Sequence, residues 1–149
     1  MVAPTADDRV VLRRQYQASP ELVYDAWTQP EQMKQWFAPS DDCSNPFIEV
    51  DLREGGEYRI GFRSAEGEDA VVGGKYLIVQ PPQKLSFTWQ WESPHEFEQH
   101  ETLVTVEFLG RDGGTELVLT HERFPNEKML GLHDQGWNGT LDRLAKAVE

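Results

Sequence analysis

The chain has 149 residues, with 26 acidic residues against 14 basic ones, and its formal charge is −12. That balance argues against nucleic acid, whose phosphates require a basic footprint, and against docking on anionic membrane surfaces; its simplest consequence is solubility. Five Trp, seven Phe and four Tyr promise an aromatic-rich core or pocket, in one domain expected over residues 1–149 and long enough to bury about two-thirds of its unfolded surface.

Residues 1–8 read as a flexible lead, with no basic region followed by an apolar run of the kind that marks a secretion signal. Arg9 to Ala18 alternates enough to be a strand. Ser19-Pro20-Glu21 then has the chemistry of a helix start: an N-cap hydroxyl, Pro at the first position and an acid in the first turn. The helix it opens runs Pro20 to Trp27, and the same signal at Thr28-Gln29-Pro30-Glu31 opens a second one, Pro30 to Trp36. Two helices of two turns each cannot form a bundle core, so they are expected to plug one end of a sheet. Ala38 to Pro46 is a polar loop carrying Cys43, the lone cysteine, which can form neither an internal disulfide nor a thiolate metal cluster.

Six strands follow. Ile48, Val50 and Leu52 alternate with Glu49, Asp51 and Arg53. Glu54-Gly55-Gly56-Glu57 is a hairpin signal, after which Tyr58, Ile60 and Phe62 face inward. Ala70 to Val79 is interrupted by Gly73-Gly74, read as a bulge, and leaves open whether Tyr76 and Ile78 or Leu77 and Val79 point in. Leu85, Phe87, Trp89 and Trp91 form the next inward row. Ser93 to Gln99 is read as an exposed connection. Thr102, Val104, Val106 and Phe108 precede the turn Gly110 to Gly114, and Leu117, Leu119 and His121 make the last row. The chain closes with its one long helix, starting at Pro125-Asn126. Met129, Leu130, Leu132, His133, Trp137, Leu141, Leu144 and Val148 recur at spacings of three and four, which places them on one stripe. Gly131, Gly136 and Gly139 each cost about 1 kcal/mol against Ala, so a bend or a close backbone approach is expected there. No segment approaches the roughly 18 to 20 apolar residues of a membrane span, and a cytoplasmic protein is expected.

This order gives an α+β fold, a curved antiparallel sheet with one wet and one dry face and the long helix as the only cover for the dry one. Several runs carry a resemblance. They are Tyr24-Asp25-Ala26-Trp27-Thr28-Gln29-Pro30 through Met33-Lys34-Gln35-Trp36-Phe37-Ala38-Pro39, Gly55-Gly56-Glu57-Tyr58-Arg59, Gly74-Lys75-Tyr76-Leu77 to Phe87-Thr88-Trp89, and Gly136-Trp137 with Leu141-Asp142-Arg143-Leu144. Together they resemble the activator-of-heat-shock-protein-90-ATPase-like family of the START-like, or SRPBCC, superfamily, over nearly the whole chain from Val10. The resemblance implies the helix-grip fold, with six to seven strands wrapped around the C-terminal helix and a hydrophobic cavity between them. The superfamily's members include lipid and hormone binders, polyketide cyclases, oxygenase domains and co-chaperone domains, so the fold does not fix the function.

The cavity is expected to be lined by Trp36 and Phe37 from the helix pair and its exit, by Tyr58, Phe62, Tyr76, Phe87, Trp89, Trp91 and His121 from the sheet, and by Met129, His133 and Trp137 from the long helix. His121 and His133 are candidates for orienting a ligand or for acid–base chemistry near neutral pH; the simpler account is a hydrogen-bonded core histidine in each case. His95 and His100, in the acidic run PHEFEQHE, are expected to be solvated. There is no GxSxG, phosphate loop, HExxH or CxxC. The favoured expectation is a binder of a small hydrophobic or aromatic molecule with no catalytic residues, no metal and no cofactor. A cyclase- or hydrolase-type enzyme using the histidines is the first alternative, and a stress-related co-chaperone with a chaperone partner is the second. A homodimer through an edge strand is a further expectation, for a sheet that does not close.

Overall fold

The computed structural model describes residues 9–149; the lead expected over residues 1–8 lies outside them. In chain order the elements are β1 (Val10–Tyr16), α1 (Pro20–Thr28), α2 (Pro30–Met33), β2 (Ile48–Val50), β3 (Glu57–Arg63), β4 (Asp69–Gln80), β5 (Lys84–Trp91), β6 (Thr102–Arg111), β7 (Gly114–Glu122) and α3 (Glu127–Val148). The seven strands form one antiparallel sheet in the order β1-β7-β6-β5-β4-β3-β2. It is a meander from β2 to β7, closed at one edge by the chain's first strand, with α3 laid over the dry face: the helix-grip architecture.

Local chemistry sets the element ends. Ser19 Oγ accepts from Leu22 N and Pro20 opens α1; Asn126 Oδ1 accepts from Met129 N to cap α3. The β6–β7 hairpin turns at Asp112 and Gly113, both at positive φ, the two-residue turn whose twist matches its strands. The second helix is shorter than its sequence pattern: α2 ends at Met33, and Lys34 to Trp36 continue as turns. The cause lies in tertiary packing, because Trp36 turns inward to full burial, where its indole N–H donates to Ala26 O at 3.0 Å.

The bulge in β4 lies beyond the glycine pair. Gly73 keeps the same register as Tyr76, and the shift falls between Tyr76 and Ile78. The extra residue there resolves the ambiguous alternation: Tyr76 is buried and Leu77 exposed before it, while Val79, opposite buried Leu85, packs inward after it. Gly74 meets a different need, since a Cβ there would collide with the Thr88 carbonyl of the neighbouring strand.

One core joins the inner rows of the sheet to Val23 and Trp27 of α1, to Trp36 and Phe37, and to Trp137, Leu141 and Leu144 of α3. Tyr16 Oη donates to Leu141 O at 2.9 Å, tying the last turns of α3 to β1; burial pushes this phenol's pKa above its ordinary value. Among the described residues no helix is long and apolar enough to cross a membrane.

Candidate functional site

The inner aromatics do not fill the space under the first half of α3. A cavity of about 340 Å³ remains there. Its roof is α3, through Leu132, His133, Gly136, Trp137 and Thr140. Its floor is sheet, through Phe62 of β3 and Trp89 and Trp91 of β5. One side is closed by Phe37, Pro39 and Cys43 after α2, the other by His95, Glu96 and Phe97 of the β5–β6 connection. Pro39, Glu96 and Leu132 are exposed and mark the mouth.

Six of the residues expected to line a cavity are brought together in this wall: Phe37, Phe62, Trp89, Trp91, His133 and Trp137. The other six are not in it. Trp36 is fully buried among the helix-pair residues, Tyr58, Tyr76 and Phe87 pack on one another with ring centroids 5.4–6.0 Å apart, and His121 and Met129 are sealed behind the wall at 0 % exposure. All six are buried in the interior; which part of that interior remains unfilled depends on where α1 and α3 rest.

The connection Ser93 to Gln99 is not the solvated loop its acidity suggests. Phe97 is buried, and His95 lies flat against Trp91 with ring centroids 4.4 Å apart and planes within 4°. The loop is self-braced: Phe97 N donates to His95 Nδ1, and His95 N donates to a Glu98 carboxylate oxygen, both at 3.0 Å. Because Nδ1 accepts, the proton of the neutral ring sits on Nε2. His95 thus enters the site from a stretch read as surface, and the available signal was the apolar Phe97 two residues on.

The two expected histidines do meet, with ring centroids 5.3 Å apart and planes near perpendicular, but each is already engaged. An indole N–H can only donate, so Trp91 Nε1 at 3.0 Å from His133 Nε2 makes that nitrogen the lone pair and leaves Nδ1–H to donate to Met129 O at 2.8 Å. Likewise Trp137 Nε1 donates to His121 Nδ1 at 2.9 Å, so His121 Nε2–H donates to Thr102 Oγ1 at 2.7 Å, whose own proton goes to Trp89 O. Both rings are therefore neutral, with every nitrogen occupied. Burial pushes His121 well below the ordinary imidazole range, with the neighbouring His133 acting the same way, and burial lowers His133 too. Their work here is to fix the orientation of Trp91 and Trp137, two of the cavity's walls.

Gly139 supplies the close approach expected of the helical glycines: a Cβ there would run into the Pro39 carbonyl, whereas Gly131 and Gly136 have open space. Arg143 reaches the same loop, pairing with Asp41 and donating to the Trp36 and Gln35 carbonyls. Together they hold Pro39 and Cys43 at the cavity's edge. Burial raises the Cys43 thiol's pKa. Among the described residues no group of three or more His, Cys, Asp or Glu is placed to hold a metal ion.

A family model described as Activator of Hsp90 ATPase homolog 1-like protein matches residues 17–149. Among solved structures, a protein from Chromobacterium violaceum aligns with TM-score 0.85 at 26% identity, covering 95% of this chain and 97% of that one. An AHSA1 protein from Silicibacter pomeroyi aligns with TM-score 0.82 at 24% identity, covering 93% and 95%. An AHSA1-like protein from Aeromonas hydrophila, solved by NMR, has TM-score 0.76 at 24% identity, covering 93% and 90%. No curated protein matches the chain.

Proposed function

This chain belongs to the Activator of Hsp90 ATPase homolog 1-like protein family, and on that premise we propose that it binds a small hydrophobic or aromatic molecule between sheet and α3, without catalysis. Family and fold support a ligand-binding or co-chaperone type of function. The observation that carries the finer reading is the cavity itself, about 340 Å³ with a predominantly aromatic wall, within the roughly 300–1,000 Å³ of small-molecule sites. Apolar burial, worth about 25 cal/mol per Å², supplies the affinity. Orientation comes from His95, whose Nε2–H has no hydrogen-bond partner among the described residues. His121 and His133 support binding rather than acid–base catalysis, because a ring whose lone pair already holds an indole proton has none to offer a substrate.

The test is a thermal-shift screen against lipids, aromatic polyketides and plant-type hormones, followed by tryptophan fluorescence, since Trp89, Trp91 and Trp137 all line the wall. A true ligand raises the melting temperature and changes the emission saturably. Gly136→Leu is the control: Gly136 is a wall residue with open space at its Cβ position, so the added side chain narrows the cavity and weakens both responses. A silent screen, or a hit that Gly136→Leu leaves untouched, rejects the reading.

A further inference from the structure

The wall of the cavity also bears on the charge of its occupant. Phe37, Phe62, Trp89, Trp91, Phe97 and Trp137 all line it. Their planes are steeply inclined: Trp89 and Trp91 at 89° with centroids 5.8 Å apart, Phe62 and Trp91 at 50° and 5.7 Å, Trp89 and Trp137 at 48° and 5.1 Å. A compact group in their midst meets aromatic surface from several directions. Ring faces carry the negative lobe of the aromatic quadrupole and attract a cation within about 6 Å of the centroid.

The charged groups point the same way. Among the described residues no Lys or Arg lines the cavity, and the one ionised side chain in its wall is Glu96, at the mouth. Glu96 pairs with Lys128, which is outside the wall. Arg143, which reaches the loop carrying Pro39 and Cys43, is held by Asp41 and two backbone carbonyls. His95 and His133 are neutral hydrogen-bonding rings. An anionic ligand would therefore meet no positive charge, only the N–H dipole of His95, a poor return for its lost hydration. A quaternary ammonium is weakly hydrated to begin with and exchanges that hydration for ring faces. The overall charge of −12 raises the local concentration of cations at the mouth.

We propose that the cavity is selective for a hydrophobic cation, an organic molecule bearing a quaternary or protonated tertiary ammonium, over an anion or a neutral molecule of the same shape. This rests on the cavity being a ligand site.

The test uses the full chain and three probes. Benzyltrimethylammonium and neopentylbenzene have the same shape and differ by a charged nitrogen in place of a carbon; phenylacetate supplies the anion. Tryptophan fluorescence titrations are expected to give the cation roughly tenfold tighter binding than its neutral isostere, with no saturable response to phenylacetate. High salt narrows the gap by screening the long-range part. Phe62→Leu, which removes a ring while keeping apolar volume, and Glu96→Gln, at the exposed mouth, each lower the cation-to-neutral affinity ratio. Equal or tighter binding of neopentylbenzene overturns the proposal and leaves the binding reading standing. Binding of neither overturns the proposal, and if the wider ligand screen is also silent the binding reading goes with it.

Discussion

His133 lies between two fixed partners, and the consequence is measurable. Trp91→Phe keeps an aromatic ring in the wall but removes the N–H that His133 Nε2 accepts. A buried acceptor left without its donor costs about 1–3 kcal/mol, so the urea midpoint of Trp91→Phe is expected to fall accordingly; an unchanged midpoint would show that the hydrogen bond is energetically idle. The same pair predicts a pH dependence. Both His121 and His133 have folded-state pKa values below their ordinary value, so between the two values the unfolded chain binds more protons. The stability is fully present above about pH 6.5 and is lost as the pH falls below it toward the folded-state values. Denaturant titrations at about pH 7.5 and about pH 5.5 should differ in that direction; a flat profile contradicts buried neutral imidazoles.

At the scale of elements, α3 separates propensity from packing. Its glycines are equivalent by helix propensity, each about 1 kcal/mol worse than Ala. Their surroundings differ: nothing lies near a Cβ at Gly131, while one at Gly139 meets the Pro39 backbone. Gly131→Ala is therefore expected to stabilise by roughly 0.5–1 kcal/mol, and Gly139→Ala to destabilise despite the better propensity, because backbone cannot yield as a flexible side chain can. Calorimetry on the two variants checks this; equal gains would mean that the α3–loop approach is not tight. The bulge in β4 illustrates the same rule in a strand. One inserted residue between Tyr76 and Ile78 reverses which side chains face inward, and no local residue preference announces it.

For the whole molecule, the cavity couples binding to stability. A ligand that binds only the folded chain stabilises it by about 2.7 kcal/mol at a hundredfold excess over Kd, a shift of several degrees for a chain of this size. Leu141→Ala tests whether the sealed half of the core and the open half are energetically distinct. Leu141 is fully buried and outside the cavity wall, so the variant is expected to lose about 2–5 kcal/mol while keeping its ligand affinity at temperatures where it stays folded. Loss of affinity in proportion to stability would mean that the cavity's shape depends on the whole core, and titration of folded Leu141→Ala decides it.

The element order and the inner face of nearly every strand are legible in the sequence, because they follow from period-two and period-3.6 patterning and from caps and turns that act within a few residues; the helix-grip fold entered through the family resemblance. Of the twelve residues expected at a cavity, six stand in the wall of this one and six are buried beyond it, a division that local patterning does not contain. The rest depended on long-range packing. Trp36, Tyr58, Tyr76 and Phe87 lie on the correct face but are consumed where α1 and the helix-pair exit press on the sheet. His121 is sealed by Trp137 and Trp89, 16 and 32 positions away, and Met129 by Phe97 and Val10, 32 and 119 positions away. His95, Glu96 and Phe97 enter the wall from a loop whose acidity resembles surface, because a flat ring contact with Trp91 outweighs local polarity. Sequence alone determined which residues can face the interior. Tertiary structure decided which part of that interior stays empty, since a void is the difference between two packed surfaces and belongs to neither of them.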